Sequence, residues 1–561
     1  MKKVNNNNFR GKKVLTLRGS KVLVFGLGLL GGGVATTNWL IKHGAQVTIT
    51  DLKGEAYLES SLKQLKGKTN LRLNGHDKKD IEDNEIIVFN PDVSINNPFV
   101  KYARKVGKQI ENEATIFYKL CPRPIVAVTG TRGKTTTSNW SGHFLNPVRG
   151  LARTEGASPV REFEQNRNAN IDGKSGIGTL SNGTSPKDLG EATSNGVNAE
   201  FKAVVSGNSY TEPLLKTLDS LKAYSTKSAI TPDAFSNSRE LENKGVVVNE
   251  IPSYHLEYFD RAIPPPVIAV ITNLYQDHLN RHGDMKEYAL AKAAIFRNQV
   301  VNQHLILNHD NKWTSFFLLQ KPTAKVWQFS VKALPKKVSG VFYHNSKVYF
   351  QDGRDLTPVL DIDGFEKRWG GHNLQNLLAS VLTANLVGVS WEKIQQRILS
   401  LPQVPFRQEV VFDGSASLTT GDAWLKIIND TSATSPDGSV AAVARFGGPS
   451  TVLISGGTDR ELDYKEWGRA IKDRIKYQNL ILLSGSATKK MIKSLGAYGK
   501  KVAVCETLSE CVKVAFFMAG KYKKSVILFS PAAKSFEKFK NEFDRGLQFN
   551  FLIKKYVRRK H

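Results

Sequence analysis

The chain has 561 residues, which is more than one ordinary domain, so we expect about three domains with separate cores. Apolar residues make up 40% and charged residues 23%, as in soluble globular proteins. No apolar stretch is long enough to span a membrane, the N-terminus lacks the apolar core of a signal peptide, and the three cysteines form no CxxC pair. We therefore expect a cytoplasmic protein without membrane insertion or a thiolate metal site.

Basic residues exceed acidic residues by 28. Dispersed positive charge can bind nucleic acid, but it can equally attract anionic nucleotides or keep a chain in solution. The basic residues form no stripe interleaved with aromatic residues, so we expect no specific nucleic-acid partner. A nucleic-acid-binding protein remains the alternative that the charge suggests, and the sequence assigns no partner to the basic termini.

A strand, a glycine-rich turn, a helix and a second strand open the chain. The first strand covers 21–25, the turn 26–33, the helix 34–43, and the second strand 46–50, which ends at Asp51. The turn contains a GxGxxG pattern, whose glycines let a pyrophosphate approach the helix N-terminus, and the acid can bind a hydroxyl group. The pattern predicts a Rossmann-like nucleotide site, with an NAD site or a turn without ligand as alternatives.

A second glycine-rich turn lies between the apolar strand 124–129 and the helix 135–145. Its backbone N–H groups can surround phosphates, Lys134 can contact the β- and γ-phosphates, and the Thr135 hydroxyl can bind Mg²⁺. Val128 takes the place of the first glycine of the usual phosphate loop. The predicted ATP-binding residues of this turn are Gly130, Thr131, Arg132, Gly133, Lys134, Thr135 and Thr136.

The remaining chain contains one polar stretch and a further α/β series. Residues 146–200 hold eight glycines and a single aromatic residue, so this stretch cannot bury a core, and we predict a flexible insertion. A third series of strands and helices begins near position 404, with strands at 451–455, 479–484 and 525–530. Alternating strands and helices predict mostly parallel sheets that are covered on both faces.

The turn at 129–135 resembles the ATP loop of the Mur ligase family and its folylpolyglutamate synthase relatives. Further segments resemble motifs of that family and follow in the same order. They are Val248–Glu257, Ile271–Asn273, Asp277–Asn280, Tyr288–Lys292, Gly371–Asn376, Pro405–Arg407 and Asn429–Thr431. The resemblance implies an α/β protein with a Rossmann-like N-terminal domain (1–122), a central P-loop ATPase domain (123–403) and a Rossmann-like C-terminal domain (404–561).

The resemblance also implies a reaction, in which ATP phosphorylates a carboxylate and an amine attacks the acyl phosphate. Lys134, His278 and Lys292 are the implied catalytic residues. Thr135 with Glu250, and His278 with a carbamylated Lys292, are the implied ligands of two Mg²⁺ ions. A carbamate suits Mg²⁺ because it replaces a cation with an anionic oxygen donor. Further implied nucleotide contacts are Asn373, Arg407 and Asp430. Taken alone, His278 would be a structural histidine and Lys292 a solvated helix lysine.

The segment 530–546 is similar to the family members that add D-glutamate. The implied partners are therefore UDP-N-acetylmuramoyl-L-alanine and D-glutamate, with ATP and Mg²⁺, in peptidoglycan precursor synthesis. The opening βαβ unit would then bind a uracil nucleotide rather than NAD, and we expect a monomer. The implied substrate-binding residues are Gly28, Leu29, Leu30, Asp51, Asn208, Ser253, Thr434, Arg460, Ser535 and Phe536.

The chain also departs from the family pattern. Leu30 replaces a common threonine, Asn90-Pro91-Asp92 replaces a Ser-Pro-Gly turn, Pro252 replaces serine or threonine, and Ser432 replaces lysine. Arg460 stands where lysine is common, and an arginine fork is not equivalent to an ammonium group. The alternatives are another amide ligase of the superfamily, such as a polyglutamate synthetase, an NAD-dependent oxidoreductase, or a non-catalytic nucleotide-binding protein.

Overall fold

A computed structural model describes residues 15–29, 31–146, 203–207, 214–222, 245–418 and 421–558. Apart from Asn146, the predicted insertion over 146–200 lies outside the described residues. Within the described part of the chain the strands form three sheets, and helices accompany each of them, so the α/β prediction is confirmed. No helix in this part is long and apolar enough to cross a bilayer.

The first sheet has five parallel strands in the order β3-β2-β1-β4-β5, the arrangement of a Rossmann-like half. The strands are β1 (Lys21–Phe25), β2 (Gln46–Thr50), β3 (Asn70–Arg72), β4 (Ile86–Phe89) and β5 (Gln109–Glu111). The helices are α1 (Gly32–Lys42), α2 (Glu55–Leu62), α3 (Lys78–Glu82), α4 (Pro98–Lys105) and α5 (Glu113–Leu120).

Helix α1 begins two residues before the predicted start at position 34 because glycine allows close packing there. A Cβ atom on Gly33 would lie 2.1 Å from the carbonyl oxygen of Leu27. The preceding Gly31 has a φ of 88°, in the left-handed region that favours glycine. The glycines therefore bring the N-terminus of α1 against the end of β1.

The central sheet has nine strands in the order β14-β13-β12-β11-β10-β9-β6-β8-β7. They are β6 (Ile125–Thr129), β7 (Ala203–Gly207), β8 (Val246–Glu250), β9 (Ile268–Ile271), β10 (His304–Asn308), β11 (Lys325–Ser330), β12 (Gly340–His344), β13 (Lys347–Asp352) and β14 (Asp355–Asp361). The sheet is parallel except for its β12-β13-β14 edge, which is antiparallel and was not predicted from the sequence.

Most helices of the central part cover the two faces of this sheet. They are α6 (Lys134–Leu145), α7 (Leu214–Lys222), α8 (Ser253–Leu256), α9 (Leu279–His282), α10 (Met285–Ala293), α11 (Thr314–Leu319), α12 (Phe365–Trp369), α13 (His372–Val387) and α14 (Trp391–Ile398). Helix α6 ends beside β7, where the Asn146 amide donates to the Ala203 carbonyl at 2.9 Å and accepts from the Ala203 N–H at 2.7 Å. The two residues that flank 147–202 are thus bonded to each other.

The third sheet has six strands in the order β15-β16-β20-β17-β18-β19, parallel except for the β15-β16 pair. Its strands are β15 (Glu409–Leu418), β16 (Gly421–Asn429), β17 (Thr451–Gly456), β18 (Leu480–Leu483), β19 (Ala503–Cys505) and β20 (Lys524–Phe529). Its helices are α15 (Pro436–Phe446), α16 (Lys465–Arg474), α17 (Ser486–Leu495), α18 (Leu508–Ala519) and α19 (Glu542–Arg558).

The apolar cores divide unequally among the three sheets. One cluster combines side chains of the first sheet and its helices, such as Val24 and Phe117, with central side chains such as Leu256 and Phe296. A second central cluster includes Val404, whereas both clusters of the third sheet contain only residues from position 410 onward. The first and central sheets therefore share a core, and the third sheet has cores of its own.

Candidate active site

The phosphate loop joins β6 to α6, and two of its positions require glycine. Gly130 and Gly133 have φ values of 149° and 81°. A Cβ atom on Gly130 would lie 1.9 Å from the Thr272 hydroxyl oxygen, and one on Gly133 would lie 2.2 Å from the Asn376 side-chain oxygen. The loop thus packs against two side chains of the family motifs, and the N-terminus of α6 faces the space above it.

Asn273 holds the loop in this shape. Its side-chain oxygen accepts from the Arg132 N–H at 2.8 Å, and its carbonyl oxygen accepts from the Thr131 N–H at 3.0 Å. The Thr272 hydroxyl also donates to the Arg132 carbonyl at 2.6 Å. A helix N-terminus in which the loop conformation is preset in this way is a suitable anion site.

Cationic side chains gather at this N-terminus. The Lys134 Nζ donates to the Thr131 carbonyl at 3.2 Å, and the Arg407 guanidinium donates to the Thr135 hydroxyl at 2.9 Å. Burial lowers the pKa of Lys134 to about 8, and the nearby Glu250 carboxylate partly opposes this shift. A bound anion would favour the protonated form further, so the site is electrostatically suited to phosphate.

Arg407 extends from the third-sheet part of the chain through a strained turn. Phe406 and Gln408, on either side of it, have φ values of 64° and 51°. Non-glycine residues adopt this conformation rarely, and it persists where the surroundings demand it. Behind the turn, Asp430 accepts from the Gln408 N–H at 3.1 Å and from the Ser530 hydroxyl at 2.8 Å, and burial raises the pKa of Asp430 to about 7.

The predicted metal ligands Glu250 and His278 lie on the wall beside the phosphate loop. Glu250 is the last residue of β8 and is buried. His278 has a φ of 54°, and burial lowers the pKa of its imidazole to about 3, which keeps the ring neutral and able to bind a metal. Together with Thr135 they offer a carboxylate, an imidazole and a hydroxyl to a cation.

In the part of the chain that the structure describes, no three His, Cys, Asp or Glu side chains gather as a metal cage. Mg²⁺ in phosphoryl-transfer sites is bound through one or two carboxylates together with substrate phosphates and water. The donor set of Thr135, Glu250 and His278 fits a cation of that kind, which the protein and the nucleotide would hold jointly.

Lys292 lies beneath the phosphate loop rather than on the cleft surface. Its side chain is 1% exposed, and its Nζ donates to the Gly130 carbonyl at 2.9 Å. The Nζ also lies 4.7 Å from the centre of the Tyr288 ring. Burial, with a further contribution from Lys134, holds the pKa of Lys292 well below its ordinary value. This favours the neutral amine, which is the form that reacts with CO₂, so carbamylation of Lys292 stays a prediction.

Asn373 and Asn376 connect α13 to the phosphate-loop helix. The Asn373 amide donates to the Trp369 carbonyl at 2.8 Å, and the Asn376 amide donates to the Asn373 side-chain oxygen at 2.9 Å. The Thr137 hydroxyl donates to the Asn376 oxygen at 3.4 Å. Nearby, the Arg445 guanidinium of α15 donates to Gln408 and to the Arg368 carbonyl, a contact that the sequence did not predict.

Asp277, which was not predicted as a site residue, is the centre of an ion-pair network. One oxygen accepts from the Arg132 guanidinium at 2.9 Å and the other from the Arg460 guanidinium at 3.0 Å. Burial alone would raise the pKa of Asp277, but the charged Arg132 and Arg460 guanidiniums hold it well below its usual range. Arg132 also donates to Asp437 of α15 at 2.7 Å, so the network crosses between the central and third sheets.

Arg545 organises the predicted amino-acid-binding segment. It is fully buried, and its guanidinium donates to the Thr431 hydroxyl at 2.9 Å, to the Thr431 carbonyl at 2.8 Å, and to the Ala533 and Lys534 carbonyls at 3.1 Å. These bonds tie the loop after β20 to the end of β16. The sequence indicated this role of Arg545 only through its position in the 530–546 motif.

Thr434 and Phe536 face the cleft from this segment, and Phe536 is 53% exposed. Ser535 is 2% exposed and does not line the cleft. Among the described residues its hydroxyl has no hydrogen-bond partner. Ser253, on α8, is also buried, and its hydroxyl lies 3.1 Å from the His282 Nε2 atom.

Asp51 stabilises the glycine-rich turn of the first sheet. One oxygen accepts from the Leu27 and Gly28 N–H groups at 2.9 and 3.2 Å, and the other accepts from the Lys53 N–H at 2.9 Å. Both carboxylate oxygens are therefore used by the backbone of the turn. A direct contact between Asp51 and substrate stays a prediction, and the predicted contacts Leu30 and Asn208 lie outside the described residues.

A cleft of about 1960 Å³ lies between the three sheets and collects most of the predicted residues. Those that line it are Gly28, Leu29, Thr131, Arg132, Gly133, Lys134, Thr135, Thr136, Glu250, His278, Asn373, Arg407, Asp430, Thr434, Arg460 and Phe536. The predicted residues that are buried and do not line it are Asp51, Gly130, Ser253, Lys292 and Ser535.

Comparison with known proteins gives matches along the same regions. Residues 201–384 match the Mur ligase middle domain, and residues 20–112 match the N-terminal domain of the MurD-like Mur ligases. UDP-N-acetylmuramoylalanine–D-glutamate ligase of Roseiflexus sp. (strain RS-1) is 31% identical over 553 residues, which cover 97% of this chain and 100% of that protein. The chain belongs to the Mur ligase family.

The chain is also similar to other Mur ligases. The enzyme of the same name from Borreliella afzelii (strain PKo) is 30% identical over 95% of this chain and 97% of its own length. Among solved structures, a MurF from Acinetobacter baumannii has a TM-score of 0.47 at 14% identity, and the match covers 91% of each chain.

Proposed function

We propose that the protein is an ATP-dependent ligase that joins D-glutamate to UDP-N-acetylmuramoyl-L-alanine, in peptidoglycan precursor synthesis. The observation that carries the proposal is the single cleft in which the phosphate loop, the first glycine-rich turn and the loop around Phe536 face one another. The relatives that share the full length of the chain are ligases named for these two substrates.

Each domain of the proposed enzyme has one task. Residues 1–122 bind the UDP-linked substrate, 123–403 bind ATP, and 404–561 bind the amino acid and close over ATP. We also propose that the enzyme acts as a monomer. The reaction consumes ATP, and we assign it to the cytoplasm.

The proposed reaction has two steps. A carboxylate oxygen of UDP-N-acetylmuramoyl-L-alanine attacks the γ-phosphorus of ATP, the bond to the β-phosphate oxygen breaks, and ADP leaves. The amine of D-glutamate then attacks the acyl carbon, the carbon–oxygen bond to phosphate breaks, and the amine loses a proton. The products are the extended nucleotide, ADP and phosphate.

Phosphoryl transfer needs positive charge around the γ-phosphate and little other chemistry from the protein. The Lys134 ammonium and the Arg407 guanidinium supply that charge at the N-terminus of α6. Asn373 and Asp430 hold the nucleoside end, and Arg460, Thr434, Ser535 and the Phe536 backbone receive the amino acid. The fixed loop and the arginine network position these groups before substrates arrive, which lowers the entropic cost of reaction.

We propose that Thr135 and Glu250 would hold one Mg²⁺ ion, and that His278 and a carbamylated Lys292 would hold a second. Bound there, they would neutralise phosphate charge and polarise the phosphate and substrate carboxylate oxygens. The neutral imidazole of His278 and the depressed pKa of Lys292 support these assignments.

The experiment that tests this function measures phosphate release with ATP, Mg²⁺ and UDP-N-acetylmuramoyl-L-alanine across a panel of D- and L-amino acids. We expect release with D-glutamate and a dipeptide-extended nucleotide in the mass spectrum. Preference for another amino acid, or release that does not require the UDP substrate, would contradict the proposal.

A further inference from the structure

Lys534 lies beside the proposed amino-acid site, and its backbone is held on three sides. Lys534 and Thr458 exchange backbone hydrogen bonds of 3.1 and 2.8 Å. The Arg545 guanidinium donates to the Lys534 carbonyl at 3.1 Å. A Cβ atom on Gly457 would lie 2.3 Å from that carbonyl oxygen, so only glycine fits there. The backbone position from which the Lys534 side chain extends is therefore fixed.

From this fixed point the Lys534 side chain reaches the cleft, where it is only 18% exposed. In the described part of the chain its ion-pair partner is Glu542, at 4.0 Å, a loose contact. Its Nζ also lies 5.7 Å from the centre of the Phe536 ring. A cation that has lost most of its water and has only a distant counter-ion gains free energy when an anion binds.

The neighbouring groups indicate what kind of anion fits. Arg460, the predicted acceptor contact, already shares its charge with Asp277 at 3.0 Å. Ser535 follows Lys534 directly, and its buried hydroxyl has no partner among the described residues. Two cations that line the cleft, a compensated arginine and a weakly compensated lysine, suit an acceptor that has two carboxylates better than one that has a single carboxylate.

We propose that Lys534 is a specificity-determining residue that binds a carboxylate of the acceptor amino acid. In the free enzyme the Glu542 carboxylate orients the Lys534 ammonium group, and this contact breaks when the acceptor binds. This inference rests on the proposed ligase function, and it adds to that function the residue that selects an acidic acceptor.

The test compares Lys534→Met with Glu542→Gln at saturating ATP and UDP substrate. A ligand role predicts that only Lys534→Met raises the KM for D-glutamate. Lys534→Met should raise the KM for D-glutamate roughly 10-fold or more, as expected for the loss of a charge-assisted hydrogen bond. Glu542→Gln should leave that KM unchanged or lower it, because the lysine loses its competitor. Lys534→Arg should retain part of the affinity, and the KM for ATP should stay within about twofold.

Lys538 offers a matched control. It lies on the same loop and donates to Ser484 at 3.0 Å, but it does not line the cleft. Lys538→Met should leave the KM for D-glutamate unchanged. An unchanged KM in Lys534→Met, or equal increases in Lys534→Met and Glu542→Gln with matching losses of Tm, would overturn the proposal in favour of a structural ion pair.

A failure of this inference can be distinguished from a failure of the proposed function. If the parent protein uses another amino acid, the same variants are measured with that acceptor. An acidic acceptor whose KM rises in Lys534→Met would support the inference even though D-glutamate had failed. A neutral or cationic acceptor would overturn it.

Discussion

The first and third domains contact the central domain in different ways. The first domain shares an apolar core with it, and buried hydrogen bonds cross the contact, including Tyr118 to Asn249 at 3.1 Å. The third domain has separate cores and meets the central domain through charged groups, among them Arg132 with Asp437 at 2.7 Å and Arg460 with Asp277 at 3.0 Å.

This difference predicts which part of the molecule can move. An apolar contact is lost only at the cost of exposing its surface to water, whereas a polar contact between domains exposes little apolar surface when it opens. We therefore expect the first two domains to behave as one body and the third to open and close over the cleft. Residues of the polar contact are also the proposed ligands of ATP and amino acid, so binding and closure favour each other.

The largest expected effect comes from a change close to the polar contact, two residues after Arg132. Lys134→Ala removes a cation aimed at the γ-phosphate and should lower turnover by roughly 10²-fold or more without unfolding the protein. Steady-state kinetics and a melting curve check this. Lys465→Ala is the control, since Lys465 is also the first residue of a helix but lies outside the cleft. Turnover within about threefold of the parent would remove Lys134 from the ATP site.

Lys292→Ala should also be nearly inactive while remaining folded, with a loss on the order of 10²-fold if a metal ligand is lost. Formate or acetate should restore part of the activity by supplying the missing anionic oxygen. The measurement is turnover with and without these salts, with sodium chloride as the ionic-strength control. Normal turnover in Lys292→Ala would exclude the carbamate and with it the second metal site.

A change at the apolar contact should affect stability instead. Tyr258 is buried against the first sheet, lies 6.1 Å from Phe89 between ring centres, and donates to the Val93 carbonyl at 2.8 Å. Tyr258→Ala should lower the free energy of unfolding by about 3–5 kcal/mol, by analogy with other large aromatic truncations. Denaturant titration measures the loss, and Tyr258→Phe, which keeps the ring, should lose far less. Equal losses in the two variants would show that the apolar packing contributes little.

The smallest effect is expected from removing 147–202. Asn146 and Ala203 are bonded to each other, so a short Gly/Ser join can connect them without moving either residue. We expect the shortened protein to fold with nearly the parent Tm, because most of the removed segment lies within 146–200, whose sequence is poor in core-forming residues. Insoluble protein, or a large drop in Tm, would show that the segment packs against the rest of the chain.

Local patterns predicted the parts of the molecule that depend on local chemistry. Strands such as 21–25 follow from their apolar runs, and the loop ending at Lys134 follows from glycines beside a lysine and a threonine. The start of α1 was wrong by two residues because the packing of Gly33 on Leu27 is a tertiary effect. The antiparallel edge β12-β13-β14 was missed because neither its pairing nor its place at the sheet edge follows from local pattern.

The ion pairs of the cleft also depend on tertiary structure, so the sequence could not predict them. Arg132 and Asp437 are 305 positions apart in the sequence, and their contact depends on how two domains are placed. Asp277 stood within a recognised motif, but nothing local indicated that two arginines would share it. Family motifs thus predicted a set of residues, most of which line one cleft, while the contacts among them required the structure.

The most direct test of the moving third domain measures distances between spin labels on exposed positions. Lys312 in the central domain is paired once with Lys105 in the first domain and once with Lys513 in the third, by cysteine substitution after replacement of Cys121. We predict a narrow 105–312 distribution in all conditions. The 312–513 distribution should be broad in the free enzyme, narrow with a non-hydrolysable ATP analogue, and remain broader with the analogue in Asp437→Asn. A 312–513 distribution that is narrow and unchanged by nucleotide, or a 105–312 distance that shifts equally, would contradict the account.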